Sequence, residues 1–284
     1  MKRLLSFVIL VYLSVPVIVY LLPWTLGHAI FSHMLRFPFS VDLSRPEDVL
    51  NHTCNFYLDT EEGVSVGVWA VNHRVQMVKI LSAAGNHVLS LDYRGFGDST
   101  GEPSEAGLTS DALYLYHWVL QHSGGGLVCL WGHSLGSGVA TNTAVKIQEQ
   151  GSAVEALILE APYTRIREVV ITHPLAKMYW FLPGFQSLLW STMETINIVF
   201  TNEENLKSLS SPLLILHAED DSVVPYHMGQ KLYQISLQTK RRLNTQVQVE
   251  MISYKAELGF SHSSIYKDPG LSHTVQKFLQ DLKH

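Results

Sequence analysis

Leu127-Val128-Cys129-Leu130-Trp131 runs directly into Gly132-His133-Ser134-Leu135-Gly136-Ser137-Gly138, and helix-forming sequence follows over residues 139–150. An apolar run of strand type, a Gly-x-Ser-x-Gly turn and a helix together form the sequence context of a nucleophile elbow. The turn is so tight that the serine takes a strained backbone conformation. Positions two before and two after it must lack side chains that collide with the neighbouring chain. Gly132 and Gly136 occupy those positions. Held this way, Ser134 presents its Oγ at the strand end, while the Leu135 N–H and the helix N-terminus face the place where an oxyanion forms. The competing reading is a chance Gly-rich helix start, and the flanking strand and helix weigh against it.

A chain of 284 residues can bury one sizeable core, which we read as a single catalytic domain behind an anchor. The net charge of -5 and the lack of any basic cluster exclude a nucleic-acid footprint. Two cysteines cannot make a disulfide framework. Cys129 reads as a small buried hydrophobe in the strand before the elbow, and Cys54 stands alone. With no C-x-x-C, H-E-x-x-H or Walker loop, nothing points to a metal or phosphate site, and no cofactor is expected.

Residues 1–35 read as a membrane anchor. After Lys2 and Arg3, residues 4–22 are mostly apolar, close to the ~20 needed to cross a bilayer, and no formally charged side chain precedes Arg36. Pro16 is tolerated in such a helix, and Trp24 stands where an interfacial aromatic belongs. A cleavable signal peptide is the alternative; the apolar run exceeds its usual length and Gly27-His28-Ala29 is a weak cleavage site. Lys2 and Arg3 on the cytoplasmic side send the rest of the chain into the lumen, which in an internal membrane implies the endoplasmic reticulum. The sequon Asn51-His52-Thr53 then faces the glycosylation machinery.

Residues 36–54 read as a juxtamembrane linker and residues 55–284 as the catalytic domain. Residues 55–58 and 64–69 alternate around a turn at 60–63, predicting a β-hairpin. A helix is expected over 74–84, a strand over 87–93 leading into Arg94-Gly95-Phe96-Gly97-Asp98-Ser99, and a helix over 109–121. Further buried strands are expected at 156–159, 213–217 and 247–254, with helices between them. Such alternation implies right-handed crossovers and a mainly parallel sheet covered on both faces.

In a sheet of this kind the active site lies at the carboxyl ends of the strands, so the partners of Ser134 belong in the loops there. Glu219, Asp220 and Asp221 follow one strand, and His262 follows the last. The order Ser, Asp, His is that of a known hydrolytic triad. His262 would take the serine proton, and a buried carboxylate would fix its tautomer. All three acids compete for that role. Asp221 is preferred for its spacing to Val223-Val224-Pro225, with Asp220 second.

The motifs Asp92-Tyr93-Arg94-Gly95-Phe96-Gly97-Asp98-Ser99, Gly132-His133-Ser134-Leu135-Gly136, His217-Ala218-Glu219-Asp220-Asp221 and Phe260-Ser261-His262 together resemble the α/β-hydrolase serine lipases. Most closely the chain resembles the family of α/β-hydrolase domain-containing proteins 12 and 12B, membrane-anchored hydrolases of monoacylglycerols and lysophosphatidylserine. The resemblance implies an α/β-hydrolase fold with Ser134 as nucleophile, Asp221 as acid and His262 as base.

One departure stands out. In that family the hairpin is followed by a strand ending in His-Gly, whose loop supplies the second oxyanion amide and which lies inside the sheet. Here Ala70-Val71-Asn72-His73 separates the hairpin from the next helix; four residues span at most ~14 Å, too little for a strand, a loop and a cap. The family's interior strand is therefore missing, and its two neighbours must re-pair or leave a gap. Residues 162–200, rich in aromatic and aliphatic side chains, read as a helical cap that lines an acyl pocket or dips into a bilayer, or as the cap's own core. Three functions follow: a serine hydrolase of membrane-lipid esters, a catalytically impaired binding or regulatory variant, and a non-enzymatic membrane adaptor, which the intact Ser134, Asp221 and His262 set opposes.

Overall fold

The computed structural model describes residues 2–32, 56–68 and 75–282. The strands are β1 (Phe56–Glu61), β2 (Val64–Val68), β3 (Leu91–Asp92), β4 (Cys129–His133), β5 (Ala156–Glu160), β6 (Leu213–Ala218) and β7 (Val249–Tyr254). The helices are α1 (Lys2–Leu21), α2 (Trp24–Phe31), α3 (Val75–Ala83), α4 (Glu105–His122), α5 (Leu135–Glu149), α6 (Ile166–Thr172), α7 (Pro174–Lys177), α8 (Phe185–Thr195), α9 (Asn202–Leu206), α10 (Tyr226–Leu243) and α11 (Leu271–Asp281).

β4 to β7 form a parallel four-stranded sheet in the order β4-β5-β6-β7. β5 and β6 are apolar almost throughout and buried at every position, as strands covered on both faces must be. Strand alternation splits their side chains between two cores. Ile158, Leu214 and Leu216 meet Leu81 of α3 and Val275 and Phe278 of α11. Leu157, Leu159 and Ile215 meet Ala144 and Ile147 of α5 and Leu232 of α10 on the other face.

The remaining strands stand apart. β1, β2 and β3 make an antiparallel three-stranded sheet, with Gly67 opposite Asp92 and Val68 opposite Leu91. Among the described residues no ladder joins β3 to β4, so the sheet is interrupted where the family's interior strand belongs. The strand expected over 87–93 is correspondingly reduced to Leu91 and Asp92, the positions paired with β2. The reason is that extended backbone is held in register by its ladder, and residues 87–90 have no neighbouring strand among the described residues. Among the described residues the strands thus fall into a mainly parallel sheet and a separate antiparallel one, the gap being one of the two expected consequences of the missing strand. Among the described residues the two flanking strands do not pair directly. The edge position also shows in burial: β4, apolar like β5, is only partly buried at four of its five residues.

The antiparallel sheet is tied to α4 by charge. Arg94, after β3, donates to Glu61 of β1 through Nη1 and Nη2 at 3.0 and 2.9 Å. The same guanidinium meets the fully buried Asp111 of α4, with Nη2–Oδ1 at 2.7 Å. Asp111 also accepts the Arg94 backbone N–H at 2.9 Å. A buried carboxylate persists only with such compensation.

α1 and α2 lie against the cap formed by α6 to α8. The Tyr12 ring stacks on Tyr179 at 4.4 Å, the Tyr12 hydroxyl donates to the Met178 carbonyl, and the Tyr179 hydroxyl donates to the Tyr12 carbonyl at 3.1 Å. A Cβ on Gly27 would sit 3.6 Å from both Ile196 and Ile198, so α2 packs closely beside the end of α8. Among the described residues no single helix is long and apolar enough to cross a membrane; the pair Tyr12–Leu21 and Trp24–Phe31, bent by 108°, meets the requirement only jointly. The sequon at Asn51, the linker expected over 36–54 and the short connection at residues 70–73 lie outside the described residues.

Candidate active site

β4 delivers Ser134 to the carboxyl end of the parallel sheet, and α5 begins at the next residue. Ser134 has φ 51 and ψ -119, a conformation that costs about 1–3 kcal/mol for a residue with a side chain. Hydrogen bonds on both sides of the residue hold it there. Its N–H donates to the Glu160 carbonyl of β5 at 3.0 Å, and its carbonyl accepts the Ser137 hydroxyl at 2.6 Å. The turn closes only because Gly132 lacks a side chain. Gly138 is equally constrained, since a Cβ there would fall 2.2 Å from the Tyr163 hydroxyl and 2.7 Å from Phe200. Leu135 is the first residue of α5, where backbone N–H groups have no acceptor within the helix.

His262 comes from the turn after β7, with its Nε2 2.9 Å from Ser134 Oγ. Its Nδ1 lies 2.8 Å from Asp221 Oδ2. The three residues singled out from the sequence, Ser134, His262 and Asp221, therefore form one hydrogen-bonded chain. Since a carboxylate only accepts, Nδ1 carries the hydrogen and Nε2 offers its lone pair to the serine hydroxyl. Asp221 follows β6 and has no exposed side-chain surface. Burial by itself raises its pKa, yet donation from His217, from His262 and from the Val224 N–H outweighs burial and holds the carboxyl well below the usual range.

Asp220 and Glu219 point elsewhere. Asp220 accepts the Ser261 N–H at 3.0 Å on both oxygens, fixing the loop that carries His262. Ser261 has φ 47, a left-handed conformation that this contact helps to hold. Glu219 pairs at the surface with Lys255 at 2.9 Å. Two histidines that sequence reasoning passed over also converge here. His133 Nε2 is 2.9 Å from the His262 carbonyl, and the two rings are 4.8 Å apart. His217, at the end of β6, approaches Asp221. The only sequence signal for it was a histidine four residues before the acid at a strand end.

An apolar cluster adjoins the elbow. Leu135 and Phe96 pack against buried side chains that include Phe185 and Leu189 of α8, Val224, and Leu26 and Phe31 of α2. Phe31 and Phe96 meet edge to face at 6.5 Å. The contribution of α2 was not anticipated from the sequence, which assigned that segment to an anchor. The segment expected as a cap over 162–200 contributes buried residues, among them Tyr163, Tyr179, Phe185 and Leu189, to this cluster.

A strained serine between a parallel strand and a helix, met by a histidine and a buried aspartate from later strand ends, defines an α/β-hydrolase of the serine type. The Hydrolase_4 family model, described as serine aminopeptidase S33, matches residues 70–211. An α/β-hydrolase from Vibrio vulnificus superposes with a TM-score of 0.67 at 18% identity, covering 89% of this chain and 92% of that one. Lysophosphatidylserine lipase ABHD12 of Danio rerio is 39% identical over 321 residues, covering 99% of this chain and 84% of that protein. Protein ABHD12B of Homo sapiens is 42% identical over 290 residues, covering 88% of this chain and 79% of that protein. The chain belongs to the ABHD12 family of α/β-hydrolases and is a serine ester hydrolase. The Danio rerio alignment of 321 positions takes in 99% of a 284-residue chain, so about 40 positions have no residue here, in keeping with a shortened form.

Proposed function

We propose that the chain hydrolyses acyl esters of membrane-derived lipids, lysophosphatidylserine first and monoacylglycerols second, through an acyl-enzyme on Ser134. The observation that carries this reading is the continuous path from Ser134 Oγ to His262 Nε2 at 2.9 Å and from His262 Nδ1 to Asp221 at 2.8 Å. Ser134 Oγ attacks the ester carbonyl while its proton passes to His262 Nε2. The tetrahedral oxyanion faces the Leu135 N–H and the start of α5. Asp221 stabilises the imidazolium, which then protonates the departing glycerol oxygen. Water, deprotonated by His262, releases the fatty acid from Ser134. The headgroup assignment rests on the relatives named as lysophosphatidylserine lipases.

The split sheet favours a second reading, a folded but catalytically impaired membrane protein. Loss of one oxyanion donor costs roughly 10²–10³ in turnover, so a missing loop slows chemistry without abolishing it. Membranes containing the full chain are treated with a fluorophosphonate probe and assayed for fatty-acid release from lysophosphatidylserine. Labelling that disappears in Ser134→Ala is expected. A folded chain that takes no label supports the impaired variant instead.

We further propose that the N-terminal segment anchors the chain with Lys2 and Arg3 cytoplasmic and the catalytic domain in the lumen of the endoplasmic reticulum. Support comes from the apolar α1 and from the cap tip beside it, where Trp180 and Phe181 are 58% and 70% exposed. Endoglycosidase treatment should shift the mobility of the wild type and leave Asn51→Gln unchanged. A catalytic domain open to cytosolic protease rules this orientation out.

A further inference from the structure

We propose that His217 is a positioning residue for the reaction, a second imidazole that locks Asp221 in the orientation His262 requires. The proposal rests on the triad reading above and names a group that reading does not use. His217 is fully buried at the end of β6. Its Nε2 lies 3.0 Å from the Val224 carbonyl and 3.3 Å from Asp221 Oδ2. Both of those atoms only accept, so Nε2 carries the hydrogen; it bonds the Val224 carbonyl and presents the same N–H edge beside Asp221 Oδ2. Nδ1 is buried with no partner, which fits a neutral ring with its lone pair on that side. An imidazolium there would carry an unmatched buried proton.

The contacts of Asp221 show what this accomplishes. Oδ1 accepts the Val223 and Val224 N–H groups at 2.9 and 2.8 Å. Oδ2 faces His262 on one side and His217 on the other. A carboxylate has about four acceptor sites, and here each has a donor, so rotation about the Cβ–Cγ bond would break two contacts at once. Without His217, Oδ1 would keep its two backbone donors but Oδ2 would be left with His262 alone, so the oxygen that faces the base would be held less closely. The ring of His217 is itself immobilised. It meets Tyr226 edge to face at 5.7 Å, and a Cβ on Gly229 would lie 2.3 Å from its Nδ1. Gly229 thus makes room for the imidazole inside the first turn of α10.

The test compares two amides of different reach. In His217→Gln the side-chain nitrogen falls near the position of Nε2 and can still donate to Asp221. In His217→Asn it falls near Nδ1 and cannot. Turnover of a short-chain ester, fluorophosphonate labelling rate and thermal melting are measured for both variants and the wild type. We expect His217→Gln to stay within a few-fold of wild type, and His217→Asn to lose roughly 10–100-fold in kcat and labelling rate at unchanged KM. Gly229→Ala, which presses on the ring without removing it, should lower kcat in the same way. A folded His217→Asn with wild-type kcat overturns the proposal, as does a folded His217→Gln as slow as His217→Asn. If His217→Asn fails to fold, the kcat of Gly229→Ala decides. Wild-type labelling that is absent, or that survives in Ser134→Ala, removes the triad reading itself; intact Ser134-dependent labelling with insensitivity to position 217 removes only this proposal.

Discussion

Gly132 and Gly136 meet across the elbow with backbone against backbone: a Cβ on Gly132 would lie 2.3 Å from the Gly136 carbonyl oxygen and 2.7 Å from its carbon. The two glycines are not equivalent. A Cβ on Gly136 would find only the Tyr93 hydroxyl, at 3.7 Å, an ordinary contact. Gly132→Ala should therefore abolish fluorophosphonate labelling and lower the melting temperature, while Gly136→Ala should retain most of both. Equal tolerance at the two positions would contradict the closeness of this turn.

The two adjacent acids also make unequal contacts. Asp221→Asn removes the acceptor that fixes the His262 tautomer, and turnover should fall by about 10³-fold or more. Asp220→Asn keeps an oxygen that can accept the Ser261 N–H and should cost only a few-fold. Steady-state kinetics on a short-chain ester separates the cases, and a reversed order would reassign the acid.

Acid titration of stability reports on Asp221 separately. Its folded pKa is depressed below the unfolded value of about 3.9, so the stability it contributes is present above that value and lost as pH falls toward the folded pKa. Melting temperature followed from pH 6 to pH 2 should drop below about pH 4 in the wild type. Asp221→Asn should start lower and decline less steeply over the same window. Parallel curves would mean that Asp221 is not held as a stabilised anion.

The interruption between β3 and β4 predicts unequal protection of the backbone. Amides of β5 and β6, flanked by strands on both sides, should exchange slowly, and those of residues 88–90 and 129–131 much faster. Inserting a family-like strand and His-Gly loop after Trp69 should slow that exchange, raise the melting temperature and increase ester turnover. Unchanged exchange and turnover on insertion would show that the absent strand is not needed.

The elbow, the order of the triad and the four strands of the parallel sheet could be read directly, because each is a local pattern: an apolar run, a glycine spacing, an acid or histidine after a strand. The shortness of the connection between the hairpin and α3 could be read as well, and it led to the expectation of a gap, with which the separate ladders among the described residues agree. What escaped depends on tertiary contact. Residues 87–90 have strand sequence and no neighbouring strand among the described residues, which no window of sequence reports. His217 looked like any strand-end histidine until α10 brought Gly229 against it and opened the buried space beside Asp221. Leu26 and Phe31 lie in a segment whose composition fits an anchor, and only packing reveals that their side chains join the cluster beside Ser134.

The unpaired side of β4 among the described residues bears on how this chain behaves in company. Leu130 and Trp131 belong to a strand whose composition suits the middle of a sheet, yet among the described residues it has a ladder on one side only. Natural proteins protect such borders with lysine, proline or a bulge, because an unguarded one recruits the matching border of another molecule. Residues 127–131 contain none of these guards. Self-association should therefore rise steeply with concentration and with any condition that loosens the first three strands, and a dilute chain is the form in which the hydrolase stays monomeric.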